Sequence, residues 1–113
     1  MSWRRIITEY GSGNDLHGGD YTKAAVRAVE DAIHHSSLSL IRTLGIDARA
    51  MQVEVTIGVQ QPDRVDVAAV KAALPHGEVT VKPVKGGLDV PDDDGRDAAI
   101  VATAAVTVRI DLG

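Results

Sequence analysis

The chain has 113 residues, a formal net charge of −4, no cysteine, no phenylalanine, one tryptophan and two tyrosines. That length is one ordinary domain over residues 1–113, and the lack of cysteine excludes disulfides, thiolate chemistry and cysteine-bound metal. The acidic balance, with no basic run beyond Arg4-Arg5 and no aromatic interleaving, argues against nucleic acid as a partner.

The first ten residues, "MSWRRIITEY", lack the apolar core of a signal peptide, and no apolar run approaches a membrane span of roughly 18 residues. The expectation is a cytoplasmic protein with no membrane partner. The apolar complement is mostly Val, Ala and Ile, so each side chain buries little area and the core is thin. Association with further copies, as a homo-oligomer, would add burial.

In chain order, "WRRIITEYG" reads as a β-branched strand ended by Gly11. A glycine-rich corner follows. "DYTKAAVRAVEDAIHHSSLSLIRTLG" then reads as one helix, with Ala25, Val29, Ala32, Ile33, Leu40, Ile41 and Leu44 on the 3.6 period. Asp20 or Thr22 would cap its start, and Gly45 suits its C-terminal exit. "MQVEVTIGVQ" alternates, with Met51, Val53, Val55, Ile57 and Val59 on one face, as a strand buried on that face does.

"QPDRVDVAAVKAALPHG" is expected to be a short helix capped by Asp63 and stopped by Pro75. "EVTVKPV" is a third strand, and Pro83 places it at an edge. "KGGLDVPDDDGRD" reads as a loop and "AAIVATAAVTVRIDL" as a long last strand. The expected fold is therefore α+β: one β-α-β-α-β-β domain, a four-stranded mixed sheet with two helices on one face. By fold-level analogy this order resembles the trimeric chorismate-mutase-like and YjgF-type folds, which build ligand sites between subunits. The analogy implies a trimer or a multiple of one.

The corner "GSGNDLHGGDY" concentrates the chemistry. Gly11, Gly13, Gly18 and Gly19 precede a helix N-terminus, where bare amides and the helix dipole favour an anion. The spacing is not a dinucleotide fingerprint, since Leu16 stands where the third glycine belongs, and no Walker lysine is present. No nucleotide cofactor is expected. Asp15 and His17 lie two apart, so in an extended segment they share a side, where a carboxylate orients an imidazole or shares a divalent metal with it. The structural alternative makes Asn14 and Asp15 turn formers and leaves His17 as a surface residue.

"GSGNDLHG" matches the GxGxDxHG signature of the "Lin" family of conserved hypothetical proteins, and the chain resembles that family through "DYTKAAVRAVEDAI", "VEVTIGV", "GGL" and "IVATAAVTV". The resemblance marks Gly11, Gly13, Asp15, His17 and Gly18, and it implies no reaction. A fainter likeness, in "TEYGSGNDLHGGDYTKAA", is to ring-opening amidohydrolases of the cyanuric acid and barbiturate type. It points to a hydrolytic or heterocycle-binding site, although the Ser–Lys pairs of that family are not identifiable.

Elsewhere the residues carry less. His34 and His35 diverge by about 100° on a helix and read as a solvated or interface pair, and His76 as a polar terminus. Ser36, Ser37 and Ser39 have no triad context. Asp92, Asp93, Asp94 and Asp97 do not fit a calcium loop and read as a solvated loop, and Gly86-Gly87 as a plain turn. Glu9 and Glu54 count as further carboxylates if the strands bring them toward Asp15.

The resulting expectation is an active site for a small polar or anionic ligand. His17 would move protons, Asp15 would orient it or bind a metal, and Gly11, Gly13, Asn14 and Gly18 would hold the ligand. Lys23 would pair with its charge, in hydrolysis or isomerisation. The alternative is a non-catalytic metabolite-binding or assembly module.

Overall fold

Among the described residues the alternating and 3.6-period patterns settle into eight elements. A computed structural model describes residues 2–34, 43, 45–47, 50–74 and 77–113. The strands are β1 (Trp3–Asp15), β2 (Gln52–Val59), β3 (Glu78–Lys85), β4 (Leu88–Pro91) and β5 (Ala98–Asp111). The helices are α1 (Tyr21–His34) and α2 (Val67–Ala72), with a 3-10 turn at Pro62–Arg64 before α2. The expected continuation of the first helix through Leu40, Ile41 and Leu44 lies outside the described residues, as do His35, Ser36, Ser37, Ser39, Pro75 and His76. Among the described residues no helix is long and apolar enough to cross a membrane.

The fold is α+β, but the mixed sheet has five strands rather than the four expected, in the order β1-β5-β2-β3 with β4 also on β5. The additional strand comes from the segment read as a loop. β4 pairs antiparallel with β5 from Leu88↔Val101 to Pro91↔Ala98, just beyond the point where β2 stops pairing with β5 at Gly58↔Thr103. Four residues are too short for a periodic signal, and the flanking Gly and Asp residues disguise it. β2 and β3 are parallel, while β5 runs antiparallel to β1, β2 and β4. Pro83 lies on the edge strand β3, where a missing N–H costs no ladder bond.

Two boundaries differ from expectation. β1 does not end at Gly11 but continues to Asp15, paired with β5 throughout. The second helix is capped by Asp66, which accepts from the Ala68 and Ala69 N–H groups at 3.1 and 3.3 Å, not by Asp63. Asp63 sits instead in the 3-10 turn, because Val65 is extended (φ −82°, ψ 127°) and interrupts the helix. α1 starts as expected, with Asp20 accepting from the Lys23 N–H at 3.0 Å. The Thr22 hydroxyl accepts from the Asp66 N–H at 2.8 Å and ties the two helix starts together.

The core lies between the helices and one sheet face. It comprises Ala24, Ala25, Ala28, Val29 and Ala32 of α1 against Val55, Ile57, Ile100, Ala102, Ala104 and Val106 of the sheet. Its depth is set at β1. A Cβ on Gly11 would stand 2.3 Å from the Ala28 carbonyl oxygen and 2.4 Å from the Ala32 nitrogen. One on Gly13 would stand 2.3 Å from the Ala28 nitrogen and 2.5 Å from the Ala24 carbonyl oxygen. These obstacles are backbone, so nothing can rotate aside. Two alternate glycines and an i, i+4, i+8 alanine row let a helix and a strand touch main chain to main chain.

The polar side of α1 also covers the free edge of β1. Asp31 accepts from the Ser12 N–H at 2.9 Å, and Arg27 donates to the Asn14 carbonyl at 2.7 Å. Both serve outward-facing backbone groups of an edge strand. Gly13→Ala should therefore cost about 3 kcal/mol or more, the upper end for overpacking. Exposed Ser12→Ala should cost under about 0.5 kcal/mol. Urea unfolding of the two variants measures the contrast.

Candidate functional site

Asp15 is the last residue of β1 and the one buried charged side chain among the described residues. Strand alternation points it to the helix side, where Gly11 and Gly13 have brought α1 close. Its Oδ2 accepts from the Asp20 N–H at 3.0 Å. Its Oδ1 lies 3.7 Å from Lys23 Nζ and 3.8 Å from Arg27, cations one helical turn apart. A buried carboxylate needs such partners. Asp15 thus fastens the strand end to the first turns of α1, and Lys23 is its ion-pair partner.

After Asp15 the chain turns through Gly18 (φ 93°) and Gly19 (φ 64°), a left-handed pair that side chains with Cβ rarely adopt. His17 projects from this turn with 86% of its side chain exposed. Its carboxylate partner is Asp97 at 3.7 Å from Nδ1, not Asp15. Asp97 is itself held by the Ala98 N–H at 2.8 Å and by the Gly18 N–H, 3.3 Å from both carboxylate oxygens. The Ala98 and Gly18 donors, and then the nearby imidazole, hold its carboxyl below the usual aspartate range. One carboxylate therefore grips the turn and the ring together, in place of the solvated loop acid expected there.

The third part of the site was not evident from the sequence. Ile100 is paired with Asp15 on β1 and with Asp89 on β4. Residues directly opposed in neighbouring strands share a face, so the two carboxylates flank buried Ile100 at roughly 10 Å from each other. The first turn of α1 bridges them. Tyr21, 4% exposed, donates its hydroxyl to Asp89 Oδ2, accepts from Gln61 Nε2 at 3.1 Å, and has the Arg64 guanidinium 5.1 Å from its ring centre. Burial pushes the Tyr21 phenol up, and the Asp89 hydrogen bond and charge add to this, against smaller opposing effects of Arg64 and Gln61. Asp89 Oδ1 is buried and has no hydrogen-bond partner among the described residues.

The remaining expected positions divide. Gly18 lies beside Asp15 and Asp97, whereas Gly11 and Gly13 lie along β1 under the helix. Asn14 is exposed, on the opposite sheet face from Asp15. Asp15 and His17, whose spacing left open either a carboxylate orienting the imidazole or a shared metal, hold separate partners, and no group of three His, Asp or Glu among the described residues is placed for a metal. Glu9 and Glu54 pair with Val106 and Thr107, several residues along β5 from the Ile100 row, and Glu54 bonds Arg109 at 3.1 Å. Tyr21, Gln61, Arg64 and Asp89 were overlooked. The signal for Asp89 was the alternation in "LDVP", one polar residue between Leu88 and Val90.

Two measurements test this wiring. Tyr21→Phe leaves the half-buried Asp89 carboxylate without its donor and should cost about 1–3 kcal/mol in urea unfolding. Asp97, depressed in the folded state, contributes stability above the ordinary aspartate value of about 3.9 and loses it as pH falls through the lower folded value. The unfolding midpoint of the wild type should thus drop on going from pH 5 to the acid side, and Asp97→Asn should flatten that drop.

Comparison with known proteins adds lineage. No curated protein matches the chain. A crystal structure described as an FtsZ-like protein of unknown function from Nostoc punctiforme is 37% identical over 98% of each chain, with a TM-score of 0.86. The family described as "Conserved hypothetical protein (Lin0512_fam)" matches residues 5–108. With that match running from near the start of β1 almost to the end of β5, and the whole corner inside it, the chain belongs to the Lin0512 family of conserved hypothetical proteins.

Proposed function

We propose that the turn Leu16–Asp20, between the end of β1 and the base of the β4–β5 hairpin, is an active site. It would carry out acid–base chemistry, hydrolysis or isomerisation, on a small polar or anionic molecule. The observation that carries this reading is the His17–Asp97 pair: an exposed imidazole whose Nδ1 lies 3.7 Å from a carboxylate that two backbone amides hold. The carboxylate lies beside one ring nitrogen, and the rest of the ring stays open to a reactant, as a general acid–base requires. Lys23 and Arg27 add positive charge beside the turn, which suits an anionic ligand. Asp15 then acts as the anchor of the site rather than as the orienter of His17. A homo-oligomer, a trimer or a multiple of one with chorismate-mutase-like packing, is part of this reading, as is a cytoplasmic setting.

A specific observation favours a second reading. Gly11, Gly13 and Asp15, three of the five motif positions, hold α1 against β1. A non-catalytic metabolite-binding or assembly module would use them in the same way and would ask nothing of His17 beyond contact.

His17→Gln separates the two. In a screen of small carboxylates and cyclic amides, any turnover by the wild type should fall at least about 100-fold in the variant. Ligand affinity should change by less than about threefold. A compound turned over equally well by His17→Gln would sink the catalytic role. Binding mapped by NMR to Gly18, Asp97 and Lys23 without turnover of any compound would establish the second reading.

A further inference from the structure

The sheet face away from the helices has no cover among the described residues, yet carries apolar side chains. The largest fully buried side chains are Ile and Val, such as Ile57, Ile100 and Val29. Apolar groups of comparable or larger size stand outside: Tyr10 is 73% exposed, Leu88 60% and Val90 51%. All three belong to the sheet face away from α1 and α2. The registers set Leu88 beside Val101 and Val90 beside Ala99 at one end of that face, and Tyr10 beside Ala105 farther along it, with Ser12 and Thr103 between the two apolar spots. An exposed apolar patch of this kind marks an interaction surface.

The other end of the same face carries balanced charge. Arg5, Arg109 and Lys82 stand in register with Glu54, Glu78 and Asp111 or next to them. Three cations meet three anions, so the face attracts neither a polyanion nor an anionic lipid surface, and it offers both signs to a copy of itself. Its size fits as well. β1 and β5 have 13 and 14 residues. At about 3.4 Å per residue and about 4.8 Å between strands, with the shorter β2, β3 and β4 included, the face measures roughly 750 Å². A standard protein interface buries about 800 Å² per partner.

We propose that this open sheet face is where a second copy of the chain docks, sheet upon sheet, with Tyr10, Leu88 and Val90 buried in the contact. The inference rests on the self-association in the functional reading, not on its threefold subunit number, and does not depend on chemistry at His17. It also links assembly to the site. In β4, Leu88 and Val90 face the partner while Asp89 between them faces Tyr21, so a docked copy braces the strand that carries Asp89.

Sedimentation velocity at about 50 μM tests this. The wild type should run as a dimer or larger, and Tyr10→Glu and Val90→Lys should each lower the mass toward the 11.9 kDa of one chain, with unchanged circular dichroism. Val67→Lys, at an exposed position on α2, and His17→Gln should both assemble like the wild type. Loss of turnover in His17→Gln with intact assembly would then concern the chemistry alone. Amide exchange of the wild type needs no variant: protection at Leu88–Val90 should rise at least threefold between 1 and 100 μM protein. A wild type that remains monomeric at 100 μM overturns the proposal, whatever other protein or segment then covers the face. So do assembly that survives both face substitutions and exchange at β4 that ignores concentration.

Discussion

The contact between α1 and β1 governs everything around it. A helix normally rests on a sheet through a layer of side chains. Here Gly11 and Gly13 remove that layer on the strand, and Ala24, Ala28 and Ala32 reduce it to methyl groups on the helix. Strand glycines two apart meet helix alanines four apart because two strand residues and one helical turn advance by similar lengths, about 6.6 and 5.4 Å. The helix runs back along β1, so Gly13 meets the Ala24–Ala28 turn and Gly11 the next one.

Once α1 lies that low, its first turn reaches groups it could not otherwise touch. Asp15 meets the Asp20 N–H and two cations of α1. Tyr21 passes over the Ile100 row to Asp89. The hairpin answers from the other side, where Asp97 grips the Gly18 amide and the His17 ring. The turn Leu16–Asp20 is thus held at both ends by carboxylates, one buried and one at the surface. The glycines conspicuous in the motif divide into two jobs: Gly11 and Gly13 admit the helix, and Gly18 and Gly19 make the left-handed turn.

The differences between expectation and structure share a cause. Gly11 was read as a strand end because glycine weakens strands, yet the tertiary contact with α1 outweighs that local penalty. Asp63 and Asp66 are equally plausible caps in sequence, and the extended backbone of Val65 selects the second. "LDVP" lacks enough residues to show a period, and pairing with β5 makes it a strand. Asp15 was matched with His17 on spacing, but the strand continues through Asp15 and the chain turns before His17, so the two side chains part.

Taken alone, the sequence was enough for the α+β class, the paired helices, the alternation of β2, the long last strand and the location of the unusual corner. Those features depend on local periodicity and on residue types with narrow backbone preferences, which a linear string displays. The partners within the corner required the tertiary structure. Asp97 reaches His17, and Asp89 reaches Tyr21, across 80 and 68 positions of chain, through a sheet register that no nearby residue announces. The bare sheet face is likewise visible only after folding, when alternation along five strands has sorted Tyr10, Leu88 and Val90 onto one side.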